Sequence, residues 1–237
     1  METLTKEKET LNKKISLSET PAEDSPIIKL FNFDYSQKHT VIGTDEAGRG
    51  PAAGGVFASA VCFHKKSKEL TESLSILNDS KQLSKKNREY LYNIIKNETI
   101  NSTVCIEVEE IEKINILQAS LKAMRLACQN VINKLCKEDL IVLIDGNKLI
   151  KDFQYPQKYV IKGDSRSASI AAASILAKVT RDRYMEELDK KYPQYGWAHN
   201  AGYLTKEHLE AIDKYGLSEY HRPSFLKKHF EKQLSLF

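Results

Sequence analysis

The sequence predicts an α/β fold, a central mixed β-sheet flanked by helices and followed by a helical C-terminal part. Three observations predict it. Short apolar runs rich in β-branched residues open the body of the chain, at Thr40–Thr44 and Val56–Phe63. A continuous apolar run, Leu140–Ile144, has the character of a strand covered on both faces. Long stretches with apolar residues at alternating steps of three and four mark amphipathic helices. Strands come first, strands mixed with helices follow, and helices close the chain, which is the order of a layered sheet-and-helix domain.

Residues 1–38 differ from the rest. They are rich in Lys, Glu, Ser and Thr and contain Pro21 and Pro26, so a mobile N-terminal tail is expected, with Ile27–Phe33 docking on the body. The body is expected at 39–232, its helical portion at about 185–232, with 233–237 a terminal peptide. After the first two strands, Ser84 caps a helix whose buried stripe is Tyr90, Leu91, Ile94 and Ile95. Thr103–Val108 is read as a third strand. Leu117, Leu121, Met124, Cys128, Val131 and Leu135 form one face of a long helix. Tyr159–Lys162 is read as the fifth strand. An Ala-rich helix runs from about Ser167 to Leu188, Thr205 caps a helix closed by Gly216, and Phe225–Lys232 is the last helix.

The 237 residues suffice for one domain with a substantial core. Hydrophobic content of 41% and charged content of 29% are those of a globular protein. No apolar run approaches the ~20 residues that span a bilayer, and the Lys- and Glu-rich start does not resemble a secretion signal; a cytoplasmic protein is expected. Cys62, Cys105, Cys128 and Cys136 form no C-x-x-C pair, which argues for reduced thiols rather than zinc or disulfides. A net charge of +4 says little unless it is focused on one face.

Acidic residues stand where apolar strands end. Asp45 and Glu46 follow Val41–Thr44, Asp145 ends Leu140–Ile144, and Asp164 follows Val160-Ile161. At strand ends of an α/β sheet, side chains converge on the crevice where ligands bind. Four carboxylates gathered there repel one another, and hard divalent cations such as Mg²⁺ or Mn²⁺ remove that repulsion. Two such ions clamp a phosphodiester for hydrolysis. A plainer reading stands beside this one: an Asp at a strand end often forms a turn or caps a helix, and Asp164 is placed to cap the helix near Ser167. Neighbouring strand residues also point to opposite faces, so on this reading Asp45 and Glu46 share a site only if the chain kinks between them, a distortion that Gly48 and Gly50 permit.

The segment Gly43-Thr44-Asp45-Glu46-Ala47-Gly48-Arg49-Gly50-Pro51 resembles the signature opening of the ribonuclease HII family. Further matches follow in the family's order: Asn78–Ser84, Ile144-Asp145-Gly146, Lys162-Gly163-Asp164, Ser169–Asp182 and Gly202-Tyr203. The resemblance covers about residues 40–225. It implies an RNase H-like fold, two divalent ions (Mn²⁺ or Mg²⁺), and Asp45, Glu46, Asp145 and Asp164 as catalytic metal ligands. It also implies that Gly48-Arg49-Gly50 reads the ribonucleotide's 2′-hydroxyl through backbone groups. Glycine suits that task because it admits close backbone approach, and the 2′-hydroxyl is what separates RNA from DNA. Tyr203 matches the family's tyrosine that stacks on a neighbouring sugar, and Lys81 and Arg49 are expected near the phosphate backbone. Asp182 is a rival to Asp164, but its position within a helix between Arg181 and Arg183 favours an ion pair. His221-Arg222 resembles a recurrent family element and receives no catalytic role. Ala52, Gly55 and Ala201 stand where relatives often carry Leu, Pro and Lys.

The resemblance implies endonucleolytic cutting of RNA in RNA/DNA hybrids and on the 5′ side of single ribonucleotides in duplex DNA, leaving 3′-hydroxyl and 5′-phosphate ends; a monomer is the default expectation, which the sequence itself does not address. The alternatives are a type III ribonuclease H preferring RNA runs and a non-catalytic hybrid- or clamp-binding protein. Gln233-Leu234-Ser235-Leu236-Phe237 resembles the peptide by which bacterial repair proteins dock on the sliding clamp, with three apolar anchors and a polar handle suited to an extended peptide site.

Overall fold

A computed structural model describes residues 25–65, 67–135 and 137–234, with side chains as far as Glu231. Residues 1–24, Lys66, Cys136 and Ser235–Phe237 lie outside the described residues. Five strands, β1 (Thr40–Ala47), β2 (Val56–Cys62), β3 (Ile100–Ile106), β4 (Leu140–Asp145) and β5 (Gln157–Val160), form one sheet in the order β3-β2-β1-β4-β5. β1, β2 and β3 are antiparallel neighbours, whereas β1, β4 and β5 run parallel. The helices are α1 (Pro26–Ser36), α2 (Lys68–Ser73), α3 (Lys85–Glu98), α4 (Val108–Ile114), α5 (Ile116–Leu135), α6 (Ala168–Lys191), α7 (Trp197–Asn200), α8 (Lys206–Tyr215) and α9 (Pro223–Leu234). The mixed sheet with flanking helices is therefore the fold that the pattern of runs predicts. Among the described residues no helix is long and apolar enough to cross a membrane.

The alternation of β1 divides the core. Ile42 faces α5, which packs Ala119, Ala123, Met124, Ala127, Cys128 and Val131 against Ala58, Ala60, Val142 and Ile144. The opposite face is covered by α6, whose Ala168, Ala171, Ala172, Ile175 and Leu176 join Val61, with Leu91 and Ile95 of α3 on the outside. Its small alanines let α6 be buried between two layers. A third cluster joins Met185 and Leu188 to Trp197, Ile212 and Leu226 and to Ala52 and Ala53. The C-terminal helices are thus seated on the loop that follows β1.

Three expectations shift. Ile27, Leu30 and Phe31 are buried on α1, so the packed body begins well before residue 39, and the expected docking of Ile27–Phe33 takes the form of a helix. Each such side chain, fully buried, is worth about 1.5–3 kcal/mol. The third strand lies earlier than Thr103–Val108, because Val108 opens α4 and is buried there with Ile111. The fifth strand also lies earlier than Tyr159–Lys162. It is an edge strand in which Tyr159 is 48% exposed, and Ile161 beyond it is 59% exposed; the left-handed backbone at Lys162 (φ 52°) ends the run. Cys62 and Cys128 are buried and free, and burial pushes their thiols up to about 11 and about 12, as suits inert core thiols.

Candidate active site

The four acidic residues are set by the ends of β1 and β4 and by the turn before α6. β1 and β4 run in register from Thr40↔Leu140 to Thr44↔Ile144, so the next step along each strand brings Asp45 alongside Asp145. No kink separates Asp45 from Glu46: β1 stays paired with β2 as far as Ala47↔Phe57. Asp45 and Glu46 instead lie on opposite faces at the point where β4 ends, and Asp145 lies between them electrostatically. Its charge pushes up the carboxyls of Asp45, Glu46 and Asp164, in each case after burial, or burial and a nearer acid, has done so. In Glu46 the neighbouring Arg49 and Lys81 oppose the rise; in Asp164, Asp79 adds to it and Lys81 opposes it.

Each carboxylate has a donor that orients it. The Glu46 amide donates to Asp45 Oδ1 at 2.7 Å, and Ser174 of α6 bonds the same side chain. The Gly163 amide donates to Asp145 Oδ1 at 2.7 Å, tying the end of β4 to the turn that carries Asp164. Arg49 Nη1 donates to Glu46 Oε1 at 3.1 Å. In this arrangement no three His, Cys, Asp or Glu side chains among the described residues form a ready-made metal cage. Glu46, Arg49 and Asp145 line a cleft of about 130 Å³ with Ser120, Met124 and Lys148. A larger groove of about 690 Å³, lined by Arg125, Phe153 and Gln157 among others, holds none of the four acids.

The turn Gly163–Ser165 leaves Asp164 buried at 9% exposure. Asp164 does not cap α6; Ser167 does, accepting from the Ile170 amide at 3.2 Å. Asp182 makes the ion pair expected of it, with Lys178 at 2.6 Å rather than with either flanking arginine. Lys81 is held beside the acids because its own segment is anchored: buried Ser80 bonds Ser174 at 2.9 Å, and the Lys81 amide donates to Asp79 Oδ1 at 2.9 Å.

The Gly48–Gly50 loop lies against the C-terminal helices. Gly48 has φ +99°, and a Cβ there would meet the Arg181 Nε at 2.4 Å, so no other residue fits without strain. A Cβ on Gly50 would stand 3.2 Å from Tyr203 Cε1; the Tyr203 ring, 53% exposed, therefore borders the loop. The Ala52 amide donates to the Gly202 carbonyl at 2.9 Å, which fixes one segment to the other. Two arginines that sequence reasoning left without a site role hold this loop. Buried Arg222 donates from Nε and Nη2 to Gly54 O (2.9 and 2.6 Å) and from Nη1 to Pro51 O (2.9 Å). Buried Arg181 donates from Nη2 to Ala201 O at 2.8 Å. Nothing in the local sequence marks either side chain as an internal prop; tertiary contact does. Gln233 and Leu234 fall in α9, where only the backbone is described, and Ser235, Leu236 and Phe237 lie outside the described residues.

Similar proteins share this framework. The chain is 46% identical over 211 residues to "Ribonuclease HII" of Fusobacterium nucleatum, covering 89% of this chain and 94% of that one. It is 49% identical over 189 residues to "Ribonuclease HII" of Rickettsia canadensis, covering 80% and 91%. Among solved structures, ribonuclease H2 from Pyrococcus horikoshii superposes with a TM-score of 0.65 at 26% identity, over 81% of this chain and 98% of that one. RNase HII of Archaeoglobus fulgidus, solved in a complex with PCNA, gives a TM-score of 0.62 at 23% identity, over 77% and 93%. Bst-RNase HIII, solved in complex with Mn²⁺, gives 0.61 at 16% identity, over 85% and 69%; likeness at that level concerns the fold. The family model described as Ribonuclease HII matches residues 42–233, a span that runs from the strand bearing Asp45 to the last helix, and the chain accordingly belongs to the ribonuclease HII family and is a ribonuclease H.

Proposed function

We propose that this ribonuclease H hydrolyses the phosphodiester on the 5′ side of a ribonucleotide, both in the RNA strand of RNA/DNA hybrids and at single ribonucleotides embedded in duplex DNA. The products carry a 3′-hydroxyl and a 5′-phosphate. The observation that supports the reading is geometric: β1 and β4 run parallel and in register up to Thr44↔Ile144, so Asp45–Glu46 and Asp145 follow side by side, and the Gly163 amide on Asp145 Oδ1 ties the turn that carries Asp164 to them. Burial disfavours the charge of Asp45, Glu46 and Asp164 there. A set of hard oxygen donors under mutual repulsion fits divalent cations, and Asp45, Glu46, Asp145 and Asp164 would hold Mn²⁺ or Mg²⁺. Bound there, such ions supply an activated water and neutralise charge on the departing oxygen.

The chain's own residues supply position. Gly48-Arg49-Gly50 presents main chain to the sugar, where a 2′-hydroxyl can be read at close range. Tyr203, exposed beside Gly50, offers a flat face to the next sugar. Lys81 and Arg49 bring positive charge to the rim of the acidic cluster and attract the phosphate backbone. Ser174 and the Gly163 amide orient Asp45 and Asp145, so the acids need little reorganisation on binding substrate.

The test is a duplex with one embedded ribonucleotide, incubated with purified protein and Mn²⁺ or Mg²⁺. Cutting at the 5′ side that stops on chelation with EDTA and returns with either ion is the expected result; equal cutting by wild type and Asp145→Asn would overturn the site assignment. A long hybrid assayed in parallel separates this reading from a type III enzyme, which favours RNA runs. Binding of either duplex without turnover would favour a non-catalytic protein. We also infer that Gln233–Phe237 docks on the sliding clamp. The PCNA complex of the Archaeoglobus relative supports the idea that members of this fold work alongside a clamp. Calorimetry with the bacterial clamp, before and after deleting residues 233–237, decides it; undiminished binding after deletion ends the inference.

A further inference from the structure

Beneath the Tyr203 loop lie two fully buried histidines, His208 of α8 and His221 just before α9. Their hydrogen bonds fix which nitrogen carries each proton. The Tyr203 carbonyl can only accept, so His208 Nδ1, 2.9 Å away, must carry a hydrogen. The Ser218 amide can only donate, so His221 Nδ1, at 2.9 Å, must be bare. That leaves the His221 proton on Nε2, aimed at His208 Nε2 at 3.1 Å, whose single lone pair it shares in a three-centre bond with the Trp197 indole N–H at 3.0 Å. A directed chain results: Ser218 amide to His221, His221 to His208, His208 to the backbone of Tyr203. Tyr195 stacks edge-on against His221 at 4.6 Å and holds the ring in plane. An added proton on either ring would set two donors face to face, and burial holds both histidines below their ordinary range, His221 at about 4.

We propose that His208 and His221 form a two-imidazole relay of fixed tautomers that sets the position of Tyr203, and through it the discrimination between a ribonucleotide–DNA junction and a continuous RNA run. The inference rests on reading Tyr203 as the ring that meets the sugar at that junction. The mechanical case is local. Tyr203 is exposed and its ring borders the main chain at Gly50, so the placement of its backbone decides where the ring stands relative to the 2′-hydroxyl reader. The Tyr203 carbonyl is anchored from two sides, by the Thr205 amide at 2.9 Å and by His208. Only the second anchor reaches into the core. His208 and His221 are positioning residues, acting through Tyr203 rather than on substrate.

The experiment measures kcat and KM on a single-ribonucleotide duplex and on a uniform hybrid. The variants are Tyr203→Ala, His208→Phe, His208→Asn and the double variant Tyr203→Ala/His208→Phe. The kcat/KM ratio, junction over hybrid, is expected to fall about 10-fold in Tyr203→Ala and in His208→Phe, the scale of a sub-ångström to ångström misplacement. In His208→Asn, which keeps an N–H near the position of Nδ1, most of the ratio returns. The double variant falls no further than Tyr203→Ala. A ratio that drops in Tyr203→Ala but not in His208→Phe overturns the relay and leaves Tyr203 as the junction reader. An unchanged ratio in Tyr203→Ala overturns both. Should His208→Phe fail to fold, ¹⁵N NMR of the wild-type imidazoles decides: a proton on His208 Nδ1 and on His221 Nε2 supports the relay, and either opposite tautomer overturns it.

Discussion

Asp34 is a buried carboxylate in a helix that precedes the matched family region, and removing it should reach the active site through the start of α6. It is 5% exposed. Its Oδ1 accepts from the Ser167 hydroxyl at 2.5 Å, and its Oδ2 accepts from the Ser169 amide at 2.9 Å and the Ser169 hydroxyl at 2.8 Å. Asp34→Ala leaves an amide and two hydroxyls without this acceptor. Buried groups left unsatisfied cost about 1–3 kcal/mol each, less where a hydroxyl can rotate to another partner, so a loss of about 3 kcal/mol is expected. Urea denaturation at about pH 5, below the folded carboxyl's value of about 6, with an unchanged slope reads it; a loss below about 1 kcal/mol would refute the reasoning. The pH dependence has a definite sign. Burial raises the Asp34 carboxyl from 3.8 to about 6, against the pull of its serine donors. The folded chain therefore keeps a proton that the unfolded chain has released, and stability falls as pH rises from about 4 to about 6. At about 1.4 kcal/mol per pH unit, the contribution lost is roughly 3 kcal/mol. Asp34→Asn, which cannot ionise, should flatten that part of the stability–pH curve; an identical curve would remove the carboxyl from the account.

Further outcomes follow from the same contacts. Asp164→Asn should lower kcat at least ~100-fold if it completes the acidic set, whereas Asp182→Asn, which breaks only a partly exposed pair with Lys178, should cost under about 1 kcal/mol and leave cleavage within about twofold; the reverse pattern in a steady-state assay would exchange their roles. Arg222→Met strips the carbonyls of Pro51 and Gly54 of their donors and should destabilise by about 3 kcal/mol or more, read by thermal unfolding. Gly48→Ala places a Cβ at φ +99° and 2.4 Å from Arg181 and should cost about 1–3 kcal/mol together with cleavage of embedded ribonucleotides. A fully active, equally stable Gly48→Ala protein would show that the loop is freer than its contacts imply.

Much of this fold is written in local pattern. The caps at Ser84 and Thr205 and the buried run Leu140–Ile144 sit where their chemistry placed them, because capping and apolar alternation are decided within a few residues. The edge strand and the start of α4 were misread for a physical reason: an isolated Val or Tyr carries no mark of which element buries it. The family's motif order pointed to Asp45, Glu46, Asp145 and Asp164, but strand alternation alone could not say how the first two come to one place; the strand runs on without a kink.

By itself, then, the sequence determined the sheet-and-helix class, the caps, and the acids at strand ends, all properties of short stretches of chain. Tertiary structure alone decided that β1 and β4 end side by side, so that acids on opposite faces both feel Asp145. It alone turned Arg181 and Arg222 inward as props for the glycine loop, brought Asp34 to the start of α6, and set His208 under Tyr203. Each of these is a meeting of segments far apart along the chain, and which partner relieves a buried charge or donor is settled only when packing has excluded water from both.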